Sequence, residues 1–325
     1  MRAALQIETT PATLGATVTG VKLASLSPKD WSQIRTAFLE HAVLVFPGQH
    51  LSDREQAAFG GRFGELVVTL LEFSNEMSDG SLRSADDPMM QLLKGNEGWH
   101  TDNSYLPVSA SASMLSARTV PSAGGDTEWA DMRAAYQALT PKMRTRIEGL
   151  KAYHSLTRSQ VRTGQGASET ARAFATLTSR DSSPRRPGAG AAPGTSAGSD
   201  PAASDSVLNV PPPLRPLVKR HPETGRPALY IGRHAYRIEG LGLAESEGLL
   251  TELLDFACHP PRVLTHTWEV GDFVIWDNRC VLHRVRPWDL AEARTVVHTR
   301  VNGDPVSEAA ELSPPRDAEV DESTV

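Results

Sequence analysis

The chain of 325 residues is short of several things, and each shortage narrows what it can be. It has only two cysteines, Cys258 and Cys280. Two thiols cannot form a disulfide framework, so a reducing compartment, the cytoplasm, is expected. No apolar run approaches the ~20 residues of a membrane span. The start, Met1-Arg2-Ala3-Ala4-Leu5-Gln6, has no apolar core, so no secretory signal is expected. A basic excess is also missing. The net charge of −6 speaks against a nucleic-acid or anionic-membrane partner. What remains is ordinary globular composition, 39% hydrophobic and 22% charged.

Local patterns predict mostly short strands with a few helices. Residues 14–23 alternate apolar and small polar side chains, as a strand does. Ser27 and Pro28 open a helix to Leu39, and Ser52 with Glu55 forms the capping box of a second, running to Phe63 and closed by Gly64. His41 to Phe46 reads as a buried strand in which His41 is a strand-start residue rather than a ligand. Ser74 to Pro88 is turn-rich, and Met89 to Leu93 is expected to be a strand. Residues 111–118 form another strand, and Met132 to Tyr153 reads as helical with a restart at Pro141. His154 next to it suits packing better than the pocket. Leu214 to Val218 and Ala228 to Ile231 form a hairpin, and Ala244 to Ala257 a helix. Three strands follow, Val263 to Trp268, Phe273 to Trp276 and Thr295 to Asn302.

This pattern indicates a mainly β domain with flanking helices, a double-stranded β-helix of the jelly-roll, cupin-like kind, over residues 1–304. Residues 164–213 are dominated by Ala, Ser, Gly, Pro and Thr, a composition that cannot offset ordering entropy, so they read as an insert. Residues 305–325 read as a disordered acidic tail.

The chemistry concentrates at Trp99-His100-Thr101-Asp102. On a strand, a histidine and an aspartate two residues apart point to the same side and can reach one metal ion. A third ligand must come from elsewhere, and His283 is the best candidate among ten histidines. Two imidazoles and one carboxylate make the facial triad of non-heme Fe(II) oxygenases. Arg294, eleven residues further on, suits the far carboxylate of a 2-oxo diacid. A non-redox jelly-roll metal protein would use the same His/Asp/His site but has no need of Arg294, and a metal hydrolase using that site wants a general base that is not evident.

With Gly124-Gly125-Asp126-Thr127, Trp276-Asp277-Asn278 and Gly303-Asp304 in the same order and spacing, the chain resembles the taurine and 2,4-dichlorophenoxyacetate dioxygenases, from roughly Leu14 to Asp304. The resemblance implies Fe(II) held by His100, Asp102 and His283. It implies 2-oxoglutarate held by Arg294 and the Thr127 hydroxyl, O₂ as oxidant, release of succinate and CO₂, and a homo-oligomer, dimer or tetramer. The aspartate ligand argues against the sibling halogenases, which lack it. Asn96 stands where the taurine enzyme has a substrate-contacting asparagine, although a turn-forming role between two glycines fits as well. Where taurine enzymes place a second arginine for the sulfonate, this sequence has His298. Residues 294, 296, 298 and 300 share one strand face, so Arg300, assisted by His298, is expected to read a substrate anion. That substrate is then a carboxylate such as an aryloxyalkanoate rather than taurine. Tyr105, Leu106, Leu70 and Leu71 are expected to supply its apolar side.

Overall fold

The computed structural model describes residues 4–162 and 211–312. Nearly all of the expected insert, and the last residues of the tail, lie outside the described residues.

The central sheet has seven strands in the order β1-β2-β3-β13-β5-β15-β4. These are β1 Gln6–Thr9, β2 Ala16–Thr19, β3 Val43–Phe46, β4 Leu66–Ser74, β5 Ala112–Thr119, β13 Phe273–Asp277 and β15 Thr295–Val301. All its pairs are antiparallel except β2 with β3. Its central strands β3 and β13 are buried on both faces, which is why they are almost wholly apolar, whereas β1 at one edge is largely exposed. The period of two splits them. Leu44, Phe46, Phe273 and Ile275 join a cluster with Ile34 and Phe38 of helix α1 (Pro28–His41) and Phe59 of α2 (Asp53–Gly60). Val43, Val45, Val274 and Trp276 face the other way, onto Trp129, Val281 and Leu282. Those residues belong to a second sheet, β12-β6-β14: Thr127–Asp131 (β6), Val263–His266 (β12) and Val281–Val285 (β14). Trp129 and Trp276 meet between the sheets at 5.8 Å. Two facing, mainly antiparallel sheets with flanking helices are the double-stranded β-helix that the strand pattern predicts.

A third sheet, β11-β7-β8-β16, extends the second side with Lys151–His154 (β7), Pro213–Pro216 (β8), Ala235–Ile238 (β11) and Glu311–Leu312 (β16). Val218–Arg220 (β9) and Pro227–Leu229 (β10) form a hairpin around the expected turn, but its first strand starts only at Val218, because residues 213–216 pair with β7 and β16 instead. The remaining helices are α3 Pro88–Gly95, α4 Met132–Ala138, α5 Pro141–Ile147, α6 Leu156–Val161 and α7 Leu243–Ala257.

Three further local expectations need correction, and residues 66–74 add a strand for which no expectation stood. Residues 89–93 are helical, because Asp87 caps Met89 N and Pro88 supplies the first helical position. Residues 66–74 are a nine-residue strand on the sheet edge, and its register against β15 shifts twice, between His298 and Arg300 and between Arg300 and Val301. The helical stretch from Met132 ends at Ile147, and Tyr153 and His154 lie on β7. The segment after Asp304 is packed as far as Leu312: Glu308 is buried and accepts from Ser109 Oγ at 3.0 Å and from Lys219 Nζ, and β16 pairs with β8. The expected caps at Ser27 and at Ser52 with Glu55 are present, although α2 stops at Gly60 rather than Phe63.

Candidate active site

His100 and His283 face each other across a bridge between two chain segments. Each backbone N–H donates to the other's carbonyl, at 3.0 and 2.7 Å, and the rings lie 4.2 Å apart. Asp102 does not reach the site along a strand. It sits in a turn, followed by Asn103 in the left-handed region at φ 56. Asn278 holds that turn: its carbonyl accepts from Thr101 Oγ1 at 2.8 Å and its Oδ1 from Asp102 N at 3.4 Å. The ligand atoms of His100, Asp102 and His283 all lie within 4.8 Å of one another, and all three residues are buried.

Electrostatics prepares these groups for a cation. Burial pushes the His100 imidazole down to about 4, and burial together with His100 holds His283 well below its ordinary value. Both are neutral, the form that ligates. His100 Nδ1 lies 2.8 Å from the Gly98 carbonyl, so the N–H is on that nitrogen and Nε2 is left for the cavity. Burial alone would raise Asp102, but the Arg300 guanidinium and His283 hold it well below the usual carboxylate range. Asp102 Oδ1 accepts from Arg300 Nη2 at 2.9 Å and Oδ2 from Ser113 Oγ at 2.6 Å. Ser113 Oγ in turn accepts from Asn278 Nδ2 at 2.8 Å. One ionised carboxylate with two neutral imidazoles, the carboxylate and His100 oriented from behind by Arg300, Ser113 and the Gly98 carbonyl, fits a divalent transition metal.

The same cavity is bordered by Thr127, Arg294, Asn96, Tyr105, His298 and Arg300, so the structure brings together the candidate metal, 2-oxoglutarate and polar substrate residues read from the sequence. Thr127 Oγ1 accepts from Trp268 Nε1 at 2.9 Å, which leaves its own proton to donate inward. The Arg294 side chain is tied at Nε to the Gly125 carbonyl at 3.1 Å and lies over the Trp288 ring. Gly125 has φ 68, and a Cβ there would come within 2.9 Å of Arg294 Cδ. The glycine is required both by its backbone and by the passing arginine. An arginine without a carboxylate partner among the described residues, next to a hydroxyl donor, fits a diacid.

Two expectations change. Val296, His298 and Arg300 do share the inward face, because β15 pairs with β5 in unbroken register from Val296 to Val301. Yet Arg300 is engaged within the protein: Nη2 on Asp102, and Nη1 on Asn103 Oδ1 at 2.8 Å. His298 stacks on Trp276 with 5° between the rings, 3.5 Å from Asp102 Oδ2, and burial and Arg300 lower its pKa, so it stays neutral. The apolar wall includes Leu71 as expected, but Phe73, Leu92 and Leu93 line it where Leu70 and Leu106 do not. His154 is buried away from the cavity. Sequence reasoning also missed Arg233, a cavity arginine that no motif or spacing marks.

Residues 6–301 match the profile of the family described as taurine catabolism dioxygenase TauD, TfdA family. The chain belongs to the TauD/TfdA family. With that family it is an Fe(II)- and 2-oxoglutarate-dependent dioxygenase using O₂, an enzyme acting on a small molecule. It is 48% identical over 312 residues to the (S)-phenoxypropionate/alpha-ketoglutarate-dioxygenase of Sphingobium herbicidovorans, covering 95% of this chain and 99% of that one. It is 36% identical over 286 residues to the alpha-ketoglutarate-dependent 2,4-dichlorophenoxyacetate dioxygenase of Cupriavidus pinatubonensis, covering 83% and 88%. Among solved structures, AAD-2 in complex with Mn(II) and N-oxalylglycine superposes with a TM-score of 0.77 at 31% identity, over 97% of this chain and 99% of that one. A TauD/TfdA chain would be expected to fold as this one does, and no described helix is long and apolar enough to cross a membrane.

Proposed function

We propose that this dioxygenase hydroxylates an aryloxyalkanoate of the phenoxypropionate kind on the carbon that carries the ether oxygen. The near full-length 48% identity to a phenoxypropionate dioxygenase carries the reading. The apolar wall of Leu71, Phe73, Leu92 and Leu93 supports an aryl guest, and His298 in place of an arginine speaks against taurine.

In this reading His100, Asp102 and His283 hold Fe(II), and Arg294 with Thr127 holds the far carboxylate of 2-oxoglutarate. The bound metal and 2-oxoglutarate supply an O₂-derived oxidant strong enough for an unactivated C–H bond, with succinate and CO₂ released. The protein's own work is placement. Ser113 and Arg300 fix the Asp102 carboxylate. Gly98 fixes the tautomer of His100. Trp268 turns the Thr127 proton inward, and Gly125 lets Arg294 reach the cavity. A C–H hydroxylated next to an ether oxygen becomes a hemiketal, which collapses to a phenol and a 2-oxo acid, so hydroxylation amounts to cleavage. A non-redox metal protein or a hydrolase would leave Arg294 and Thr127 without a task.

The cysteines are both free thiols, which supports a cytoplasmic location, and a dimer or tetramer is proposed on the family resemblance. Light scattering tests the assembly. Function is tested on a panel of both phenoxypropionate enantiomers, 2,4-dichlorophenoxyacetate and taurine, following phenol and succinate. Phenol release matched to succinate is expected from at least one aryloxyalkanoate. Coupled turnover with taurine alone would overturn the substrate reading.

A further inference from the structure

Four arginines border the cavity: Arg233, Arg284, Arg294 and Arg300. Two have a carboxylate of their own. Arg284 Nε donates to Glu128 Oε2 at 2.6 Å, and Arg300 Nη2 to Asp102. Arg233 and Arg294 have none among the described residues. Arg294 is buried and Arg233 half-buried, and a cation shielded in this way without a counter-charge is costly and is kept where a ligand brings the charge. The reaction has two anionic guests, 2-oxoglutarate and the substrate. Arg294 is matched to the first.

We propose that Arg233 binds the carboxylate of the substrate. The assignment rests on the aryloxyalkanoate reading for the identity of the guest. Arg233 is held close to the metal ligands through its backbone, whose N–H donates to the Trp99 carbonyl at 2.8 Å, one residue before His100. Its side chain is oriented by neutral groups only: Nη2 donates to Gln160 Oε1 at 2.6 Å and to Ser159 Oγ at 3.3 Å. These bonds aim the guanidinium without neutralising it, and Nε is buried with no partner. Burial lowers its pKa to about 10, which still leaves it charged at neutral pH. Room for the side chain is made by two glycines of the stretch before the metal motif. A Cβ on Gly95 would lie 2.8 Å from Arg233 Nη1, and one on Gly98 3.2 Å from Cδ. The cavity therefore offers a substrate cation that is separate from the 2-oxoglutarate arginine, together with an apolar wall.

The test is anaerobic calorimetry on the Mn(II)- and N-oxalylglycine-loaded protein, titrated with aryloxyalkanoates, the primary amide of the best one, and a set of alkyl and aryl sulfonates. Arg233→Gln should weaken binding of the carboxylate roughly 30-fold or more. The neutral amide should change little, and N-oxalylglycine should bind as before, which also certifies the fold. Arg233→Lys should restore part of the loss. Unchanged carboxylate affinity in Arg233→Gln would overturn the assignment, as would a loss of N-oxalylglycine in place of substrate. If the unaltered protein binds only sulfonates and Arg233→Gln loses them, the aryloxyalkanoate reading fails while Arg233 stands as the anion binder.

Discussion

Arg300 Nη2 stands 2.9 Å from Asp102 Oδ1, on the same carboxylate whose other oxygen receives Ser113. A guanidinium placed behind a metal-ligating carboxylate tunes the ligand rather than the substrate. Arg300→Gln should therefore lower Fe(II) or Mn(II) affinity ~10–100-fold, the usual cost of losing such an outer contact. Anaerobic metal titration of the apo protein reads it. A rise in substrate KM with metal affinity unchanged would return Arg300 to the substrate side.

Arg294 and Gly125 should behave as one unit. Arg294→Ala leaves a bound carboxylate unpaired, at a cost on the order of 2–5 kcal/mol. Gly125→Ala should imitate it, since the new Cβ would sit 2.9 Å from Arg294 Cδ at a φ of 68. Both should raise the 2-oxoglutarate KM steeply while metal affinity holds. Trp268→Phe should have a smaller effect of the same kind, ~0.5–1.5 kcal/mol, by freeing the Thr127 hydroxyl to turn. Calorimetry with N-oxalylglycine gives the three values, and equal losses in all three would contradict this ranking.

Buried neutral histidines should make the metal-free protein acid-sensitive. Burial pushes His154 to about 3 and His100 to about 4, and neither His154 ring nitrogen has a hydrogen-bond partner. These folded-state values lie below the unfolded ~6.5. Between them the unfolded chain binds more protons, so the stabilisation is complete above pH 6.5 and is lost as the pH falls, at up to about 1.4 kcal/mol per pH unit and group. Melting of EDTA-treated protein should show Tm dropping from pH 6.5 to 5, and less steeply in His154→Leu. A flat profile would mean that other groups set the acid limit.

The composition of residues 164–213 supports a separate expectation. Loop closure costs only ~0.6 kcal/mol per doubling of length. Replacing 180–206 by a short Gly/Ser linker should leave Tm within a few degrees, as differential scanning calorimetry would show. A large drop would mean that the segment packs.

What the sequence determined by itself was chemistry and local structure. The caps at Ser27 and Ser52 depend on residues three positions away, and the alternation in Val43–Phe46 and Thr295–Val301 sets which side chains share a face. Asp87-Pro88 carried a helix start that the apolar run at 89–93 obscured. The ligand set was legible because few residue types bind iron and the spacing of the motifs is specific. Only the tertiary structure decided the partners. Parity placed Arg300 on the inward face, but Asp102, 198 positions away, claims it through the sheet register and a turn held by Asn278. Arg233 carries no local signal, because its position comes from a backbone bond to Trp99 and from space left by Gly95 and Gly98. Neighbours along the chain set backbone conformation, whereas the counter-charge of a buried cation is set by whichever distant segment packs against it.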